Sequence, residues 1–403
     1  MRGAQRLRNR KTDMDISYIL NELGEEREDY FRAIAPPIVQ TSNFAFSKVE
    51  ALRKAFADEY STWLYSRGLN PTVNILRRKL AALDGAEDCL VFNSGAAAIF
   101  AAVLANVKTG DHIVSVKNPY TWAQRTFDVI LARFGVTVTY VDGTETSNFS
   151  NAIRPNTTLI YLESPNSWFF DLQDLRAVAA IAKEKNIITI CDNSYCTPLY
   201  QRPVEMGIDL VLQSATKYIN GHSDTVAGVL SGSRAMIEKI FNSEYMTVGS
   251  GIQPFNAWLL IRGLRTLQAR LERVDRSTRE VLHFLKNHPR VERVIFPLDP
   301  DFPQYALAQK QMTGACGLLT FILKAEKAAT IETFCEKLQH ILMAVSWGGH
   351  ESLILPKCAG ISPGDFNAAD PAHRSLRLYV GLEDPGYLIA DLSAALEAVR
   401  DLS

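Results

Sequence analysis

The chain is organised around the segment Leu210-Val-Leu-Gln-Ser-Ala-Thr-Lys217-Tyr-Ile-Asn-Gly-His-Ser-Asp224. A short apolar strand leads into small hydroxyl residues, a lysine and a glycine-containing turn. This order suits a cofactor clamp, because the strand fixes the backbone while Ser214 and Thr216 offer hydroxyl groups to an anion. Lys217 supplies an amine, which attacks a carbonyl carbon when its surroundings favour the neutral form. The same pattern is also compatible with an ordinary solvated strand end.

On the N-terminal side of this segment, short apolar strands alternate with amphipathic helices. The strands are predicted at 89–92, 112–116, 136–141, 159–162, 187–190 and 209–212. This alternation favours an α/β fold, with a mainly parallel central sheet covered by helices on both faces.

The C-terminal side has a different pattern. Apolar residues between Asn256 and Leu285 follow a three-four spacing, which predicts one long helix that links two domains. Mixed strands and helices follow, and they predict a smaller α+β domain. We therefore expect an N-terminal arm at 1–68, a large domain at 69–258 and a C-terminal domain at 259–403.

Composition excludes several classes of function. Among the 403 residues, Lys and Arg number 43 and Asp and Glu number 44, so nothing favours a nucleic acid or an anionic membrane as partner. No apolar run is long enough to span a bilayer, and no secretory signal follows the N-terminal arginines. The basic cluster at residues 2–11 is interpreted as a solvated arm.

The cysteines and histidines predict neither a disulfide framework nor a metal site. The six cysteines are scattered without a Cys-x-x-Cys pair, as in a cytoplasmic protein with reduced thiols. The seven histidines include no His-Glu-x-x-His motif, which argues against a zinc hydrolase.

Residues with useful chemistry follow several predicted strands at their carboxyl ends, where open parallel sheets bind ligands. Gly95 begins an Ala-rich helix, whose free N–H groups predict a phosphate site. Asp192 ends an apolar strand, so it either caps a turn or pairs with a buried cation such as a protonated pyridine nitrogen. Tyr120 offers a flat ring for stacking. With Lys217, these features describe a site for pyridoxal 5′-phosphate, which acts as an electron sink.

The chain resembles the pyridoxal-phosphate enzymes of cysteine and methionine metabolism, which include the cystathionine lyases and synthases. The resemblance begins near residue 25 and covers most of the chain. It is carried by Tyr65-Ser-Arg67, Ser94-Gly95, Glu163-Ser-Pro165, Asp192-Asn193, Ser214-Ala-Thr-Lys217-Tyr, Gly221-His-Ser-Asp224, Arg262-Gly-Leu-Arg-Thr266, Ser346-Trp-Gly-Gly-His-Glu-Ser352 and Arg377-Leu-Tyr-Val-Gly-Leu-Glu-Asp384. The fold that it implies is that of the fold type I pyridoxal-phosphate enzymes.

The resemblance also implies a role for each matching residue. Lys217 would hold the cofactor and move protons, and Asp192 would keep the pyridine nitrogen protonated. Arg377 would grip the substrate carboxylate, helped by Ser346 beside Trp347. The candidate catalytic residues are Lys217, Tyr120 and Tyr65. The phosphate would be held by Gly95, Ala96, Ser214 and Thr216, together with Tyr65 and Arg67 from a neighbouring subunit, and Ser94 would also bind the cofactor. A homo-oligomer with shared sites, such as a dimer of dimers, is implied.

Details of the motifs favour one reaction, the β-elimination of L-cystathionine to homocysteine, pyruvate and ammonia. Ser346-Trp347-Gly-Gly is similar to the bacterial cystathionine β-lyases, and Ser167 stands where many relatives have an asparagine. Thr121-Trp122 replaces the residues usual in γ-lyases after Tyr120. Val345 stands where relatives acting on γ carbons of cystathionine or acylhomoserine often carry a glutamate.

Other details keep alternatives open. The segment from Asp192 to Pro198 looks closer to methionine γ-lyases and sulfhydrylases, and Val345 is compatible with them. Cystathionine or methionine γ-lyase and O-acylhomoserine sulfhydrylase are therefore alternatives. A regulatory protein with the same fold is the alternative without catalysis, because fold does not determine function. The expected partner is a small sulfur amino-acid substrate.

Overall fold

The computed structural model describes residues 14–399, so the basic cluster at residues 2–11 lies outside the described part. A seven-stranded sheet has the strand order β1-β7-β6-β5-β4-β2-β3. Only β7 runs against the others, since it pairs antiparallel with both β1 and β6. The strands are β1 (Asp88–Phe92), β2 (His112–Val116), β3 (Thr137–Val141), β4 (Thr157–Glu163), β5 (Ile188–Asp192), β6 (Leu210–Ser214) and β7 (Gly228–Gly232). The mainly parallel sheet is thus confirmed, and β7 was not predicted.

A second sheet has five strands in the order β10-β11-β12-β9-β8. Its strands are β8 (Val291–Ile295), β9 (Leu318–Leu323), β10 (Leu342–Met343), β11 (Leu353–Pro356) and β12 (Ser375–Tyr379). Most of its neighbours are antiparallel, as expected for the smaller α+β part. The predicted domain limits at residues 69 and 259 remain predictions, and one helix, Pro254–Leu264, runs across the second limit.

Helices cover the large sheet and flank the small one. The helices are α1 (Ile16–Asn21), α2 (Val49–Ala57), α3 (Pro71–Asp84), α4 (Gly95–Leu104), α5 (Thr121–Arg125), α6 (Thr146–Ala152), α7 (Leu175–Glu184), α8 (Thr197–Tyr200), α9 (Arg234–Ile240), α10 (Met246–Val248), α11 (Pro254–Leu264), α12 (Leu267–Lys286), α13 (Tyr305–Gln311), α14 (Ala328–Lys337) and α15 (Pro385–Ala398). Short 3-10 or π turns occupy Arg27–Tyr30, Thr126–Ile130, Leu131–Phe134, Pro203–Met206, Phe241–Tyr245, Lys357–Gly360 and Pro363–Asp365.

Two of these helices show how local sequence sets their ends. The Asn70 side chain accepts a hydrogen bond from Thr72 N at 3.0 Å and caps α3, whose first residue is proline. Asp384 caps α15 by accepting from Gly386 N at 2.9 Å. Both starts agree with the Asn-Pro and Asp-Pro pairs in the sequence.

The prediction of one long helix over 256–285 is wrong, because the chain breaks between α11 and α12. At the break, the Gly263 carbonyl accepts from Thr266 N at 3.2 Å and from the Arg270 guanidinium at 2.8 Å. The same guanidinium donates to Tyr218 O at 2.8 Å. A side chain that captures helix carbonyls in this way interrupts the regular ladder. The apolar period continues across the break because both helices bury one face in the same core.

Candidate active site

One cavity of about 930 Å³ opens at the carboxyl ends of β4, β5 and β6. All of the predicted site residues except Tyr65 and Arg67 line it. They are Ser94, Gly95, Ala96, Tyr120, Asp192, Ser214, Thr216, Lys217, Ser346, Trp347 and Arg377. The large sheet supplies one wall of the cavity, and the segment 345–347 with β11, β12 and the turn after β11 supplies the opposite wall. The site thus lies where the two sheets face each other.

The start of α4 forms a donor-rich corner of this cavity. Ser94 caps the helix by accepting from Ala97 N at 3.1 Å. First-turn N–H groups such as those of Gly95 and Ala96 have no partner within a helix, and they attract anions. A Cβ atom at Gly95 would lie 3.2 Å from Ser214 Cβ, so the helix start packs closely on the end of β6. This corner matches the phosphate site that the sequence predicts.

The hydroxyl group of Thr216 is partly used by its own turn. It donates to Ala227 O at 3.2 Å and accepts from Ala227 N at 3.0 Å. These bonds join the end of β6 to the start of β7. Thr216 therefore holds the turn in shape beside the donor-rich corner.

Lys217 lies between the two walls of the cavity. Its Nζ donates to Ser346 Oγ at 2.5 Å and lies 5.4 Å from the centre of the Trp347 ring. Burial, followed by the charge of Arg377, lowers the pKa of Lys217 to about 8, while Asp192 opposes the shift. A larger fraction of this amine is neutral at physiological pH than of an ordinary lysine, which suits attack on a carbonyl carbon.

Asp192 ends β5 with its carboxylate in the cavity wall. Its Oδ1 accepts from Ser194 N at 2.9 Å, so the turn-capping alternative is observed. Ser194 Oγ in turn accepts from Ser214 N at 2.7 Å. Burial raises the pKa of Asp192, although hydrogen bonds from Ser194 and the charge of Lys217 oppose the shift. Within residues 14–399 Asp192 has no ion-pair partner, so a cationic ligand group is well suited to it.

Glu163 is a site residue to which sequence reasoning gave no role. It ends β4 directly beside Asp192 in the parallel register. Its two carboxylate oxygens accept from Tyr120 N at 2.6 Å and Ser167 N at 3.1 Å. Burial and the charge of Asp192 raise the pKa of Glu163. The motif Glu163-Ser-Pro165 was the available signal, since it places an acid at a strand end.

The segment Ser346-Trp-Gly-Gly349 passes closely over Lys217. Gly348 has φ of 87°, and a Cβ atom there would lie 2.7 Å from Tyr218 N, so only glycine fits. The Trp347 ring is buried and lies 5.3 Å from the Tyr218 ring. Ser346 has φ of 80°, an uncommon value for a residue with a side chain. The close approach thus brings both side chains to the lysine.

Arg377 projects from β12 into the cavity. It donates to Ser167 O at 3.1 Å, and its guanidinium carbon lies 5.2 Å from the centre of the Trp168 ring. Burial lowers the pKa of Arg377 to about 10. In the described part of the chain Arg377 forms no ion pair, so an incoming carboxylate meets an unused charge.

Tyr65 and Arg67 do not reach this cavity. Both are exposed, and the Arg67 guanidinium carbon lies 5.2 Å from the centre of the Tyr65 ring. The segment is held by Ser66 N, which donates to Ser42 O at 2.9 Å. Their predicted role at the phosphate requires a second subunit, which is what the resemblance implies.

The side chains present match the chemistry of pyridoxal 5′-phosphate. The α4 corner offers donors to a phosphate, Lys217 offers an amine to the aldehyde, and Asp192 offers a carboxylate to a protonated pyridine nitrogen. The close packing of Gly95 on Ser214 keeps side chains out of the phosphate corner. The six cysteines are all buried and free, so they add no competing group.

Neither a membrane-spanning helix nor a metal centre is present in residues 14–399. No helix in that range is both long and apolar enough to cross a membrane. No group of three His, Cys, Asp or Glu side chains there could hold a metal ion.

Comparison with known proteins agrees with the geometry. A family model described as Cys/Met metabolism PLP-dependent enzyme matches residues 19–397. An L-methionine gamma-lyase of Treponema denticola is 39% identical, over 91% of this chain and 93% of the relative. An L-methionine gamma-lyase of Porphyromonas gingivalis is 40% identical, over 92% of this chain and 94% of the relative. A cystathionine gamma-lyase of Rattus norvegicus is 35% identical, over 94% of both chains.

Proposed function

This chain belongs to the family of Cys/Met metabolism PLP-dependent enzymes, and we propose that it cleaves the carbon–sulfur bond at Cγ of a sulfur amino acid. The products would be a thiol, 2-oxobutyrate and ammonia. The observation that carries the proposal is that relatives named as γ-lyases match over nine-tenths of the chain. A cavity that joins Lys217, Asp192 and Arg377 supports it.

The γ-lyase, an alternative in the sequence analysis, is thus favoured over β-elimination of L-cystathionine, which is the main prediction from sequence. The β-lyase remains the second candidate because of Trp347, which lies 5.4 Å from the Lys217 amine. The motif Ser-Trp-Gly-Gly was the basis of that prediction. Similarity to γ-lyases over the whole chain is stronger support than one tryptophan. The products distinguish the two reactions directly.

In the proposed mechanism, Lys217 is the residue that moves protons. When bound, pyridoxal 5′-phosphate withdraws electrons from the α carbon of an amino acid. The neutral Lys217 amine takes the proton from Cα, and γ-elimination then needs a second proton to be taken from Cβ before the thiolate leaves Cγ. Ser346 accepts a hydrogen bond from the amine at 2.5 Å and so orients it.

Tyr120 supplies the acid for the leaving sulfur. Burial, followed by the charge of Asp192, raises the pKa of Tyr120, so its hydroxyl group keeps its proton. A protonated phenol beside the cavity can donate to the thiolate that leaves Cγ. Glu163 holds the backbone of Tyr120 at 2.6 Å and keeps the ring at the wall of the cavity.

The remaining residues hold the ligands. Arg377 would bind the substrate α-carboxylate by a two-point contact, since its guanidinium has no carboxylate partner of its own among the described residues. Asp192 would hold the protonated pyridine nitrogen. The phosphate group would be held by Ser94, Gly95, Ala96, Ser214 and Thr216.

We also propose a homo-oligomer in which residues 1–68 act as an arm toward a neighbouring subunit. Tyr65 is exposed outside its own cavity, and Phe31, Ile34 and Phe56 in the same segment are exposed apolar residues. Contact with a neighbouring subunit would remove these apolar side chains from water. Tyr65 and Arg67 would then complete the phosphate site of the neighbour.

The products of turnover test the proposed reaction. The purified enzyme, loaded with pyridoxal 5′-phosphate, is incubated with L-methionine or L-cystathionine, and the oxo acids are separated by chromatography. We expect 2-oxobutyrate from at least one of the two substrates. Pyruvate and homocysteine from L-cystathionine, without 2-oxobutyrate, would instead establish the β-lyase.

A variant at Lys217 shows whether the products are formed by this enzyme or by a contaminating one. Lys217→Ala removes the amine, and we expect it to lose both product formation and the visible absorption of lysine-bound cofactor. If Lys217→Ala forms 2-oxobutyrate at the rate of the unmodified enzyme, the assigned role of the lysine is wrong.

A further inference from the structure

Two cations share one tryptophan in the wall that faces Lys217. Lys357 Nζ lies 4.3 Å from the centre of the Trp168 ring, and the guanidinium carbon of Arg377 lies 5.2 Å from it. The ring itself is fixed, because Trp168 Nε1 donates to Ser375 Oγ at 3.0 Å. All three side chains line the cavity. The wall therefore presents two positive charges around one rigid indole.

Lys357 is placed there by the small sheet. It follows directly after β11, and β11 pairs antiparallel with β12, which carries Arg377. Pro356 lies opposite Leu376 in this register, so Lys357 emerges beside the strand that holds the arginine. Strand pairing thus brings the lysine and the arginine to one edge of the cavity.

The charge of Lys357 has no protein counterion among residues 14–399. Burial, followed by the charge of Arg377, lowers its pKa, so the cavity disfavours the ammonium until an anion arrives. The positive side chains that line the cavity are Lys217, Lys357 and Arg377. Lys217 is assigned to the cofactor and Arg377 to the α-carboxylate, which leaves Lys357 without an assigned ligand.

We propose that Lys357 binds a carboxylate at the far end of the substrate side chain, so that the site favours sulfur amino acids with a second carboxylate over those that end in a methyl group. The inference rests on the proposed function for the assignment of Arg377. It names a substrate class, of which L-cystathionine is a member and L-methionine is not.

The competing explanation is that Lys357 only supports Trp168. A cation over an aromatic ring is attracted to the electron-rich face of the ring and so helps to hold the ring in place. Loss of such support would disturb the tryptophan and the neighbouring Arg377 for every substrate. A binding role for the distal carboxylate instead predicts an effect confined to substrates with that group.

The first experiment compares Michaelis constants of the loaded enzyme and two variants, Lys357→Met and Lys357→Arg. We expect Lys357→Met to raise KM for L-cystathionine about 10- to 100-fold, as for loss of one charged hydrogen bond. KM for L-methionine should change by less than about threefold, as for a substitution away from any bound group. Lys357→Arg keeps the charge and should recover most of the affinity for L-cystathionine.

A second experiment measures binding without turnover, which separates this inference from the proposed function. L-2-aminoadipate and L-norleucine have the same carbon chain and differ at its end by carboxylate against methyl, and neither contains sulfur. We expect the loaded enzyme to bind L-2-aminoadipate about tenfold more tightly, and Lys357→Met to abolish that preference. Titration calorimetry gives both constants, and thermal melting confirms that each variant is folded.

The outcomes are distinct. The inference is wrong if Lys357→Met affects L-cystathionine and L-methionine equally, or L-2-aminoadipate and L-norleucine equally, or has no effect on either member. This holds even when 2-oxobutyrate is formed. It is also wrong if the loaded enzyme does not bind L-2-aminoadipate. If the preference for the carboxylate is lost in Lys357→Met while no γ-elimination product forms, the inference stands and the proposed function fails.

Discussion

The two walls of the cavity carry ionisable groups of opposite type, acids on one side and bases on the other. The wall from the large sheet ends in two buried carboxylates, Glu163 and Asp192, on neighbouring strands. The wall from the small sheet carries Arg377 and Lys357 around Trp168. Lys217 lies between the two walls, and the charges of both walls act on its amine. Arg377 lowers the pKa of Lys217, whereas Asp192 raises it.

The walls also differ in how they are held together. In the large-sheet wall, backbone N–H groups donate to both carboxylates, which sets their positions within strand ends and turns. In the small-sheet wall, both cations lie near the Trp168 ring, and Arg377 also donates to Ser167 O. Neither Asp192 nor Lys357 has an ion-pair partner in the described part of the protein. Charges that are removed even partly from water without a partner are costly, so this shared feature suits ligands that supply the partners.

The largest expected effect comes from removing the carboxylate of Asp192 from the large-sheet wall, which is the acidic wall of the cavity. Asp192→Asn keeps the shape but cannot balance a protonated pyridine nitrogen, so kcat should fall by roughly 100- to 1000-fold. Initial rates of 2-oxobutyrate formation measure the change, and the absorption spectrum reports how the cofactor is bound.

A matched control for Asp192 lies at the end of α3, where the helix packs against β6 and β7 of the same sheet. Asp84 is also a buried carboxylate, whose pKa burial raises to about 7, but its partners are the side chains of Ser231 and Gln213. Asp84→Asn should leave kcat and the cofactor spectrum unchanged. Equal losses in Asp84→Asn and Asp192→Asn would mean that the acidic wall has no special role.

The next largest effect is expected at Arg377, which lies in the small-sheet wall, the basic wall of the cavity. This residue would bind the α-carboxylate of the substrate. Arg377→Gln removes the guanidinium charge and should raise KM about 10- to 100-fold for L-methionine and L-cystathionine alike. The expected contrast with Lys357→Met is that only the arginine variant affects both substrates. A substrate-dependent effect of Arg377→Gln would contradict the assignment of the α-carboxylate to this residue.

The smallest effect concerns Lys217 between the walls. The neutral amine is the reactive form, and its fraction rises with pH until the pKa of about 8 is passed. Loading of the cofactor-free protein with pyridoxal 5′-phosphate should therefore slow about tenfold per pH unit below 8 and level off above it. Stopped-flow absorbance measures the rate, and Arg377→Gln should shift the profile toward higher pH. A rate that does not change between pH 6 and pH 9 would contradict the lowered pKa.

Much of the acidic wall could be predicted from sequence. Alternating strands and helices place the carboxyl ends of parallel strands at one edge, so Ser94, Asp192 and Lys217 were expected to meet. Their chemistry then indicated the cofactor. Glu163 stood in a recognised motif, but its bonds to Tyr120 and Ser167 depend on how two loops fold back over the strand end.

The basic wall was predicted less completely. Arg377 and Trp347 were identified through motifs, whereas the set of Trp168 and Lys357 was not identified. These two residues are remote in sequence, and they meet because β11 pairs with β12 and the Trp168 ring is held against β12 by its hydrogen bond to Ser375. The break between α11 and α12 was missed for a similar reason, because it depends on the Arg270 guanidinium reaching Gly263 and Tyr218.

Lys217 and its neighbours show what sequence alone determined and what tertiary structure decided. Local order along the chain determined the strand, the turn and the reactive amine, since hydrophobic period and residue type act over a few positions. Tertiary structure decided the electrostatics of that amine, because Arg377, Asp192 and Ser346 come from distant segments. It also decided that the facing wall is cationic. The charge around a site depends on distances between chain segments, and those distances exist only in the folded protein.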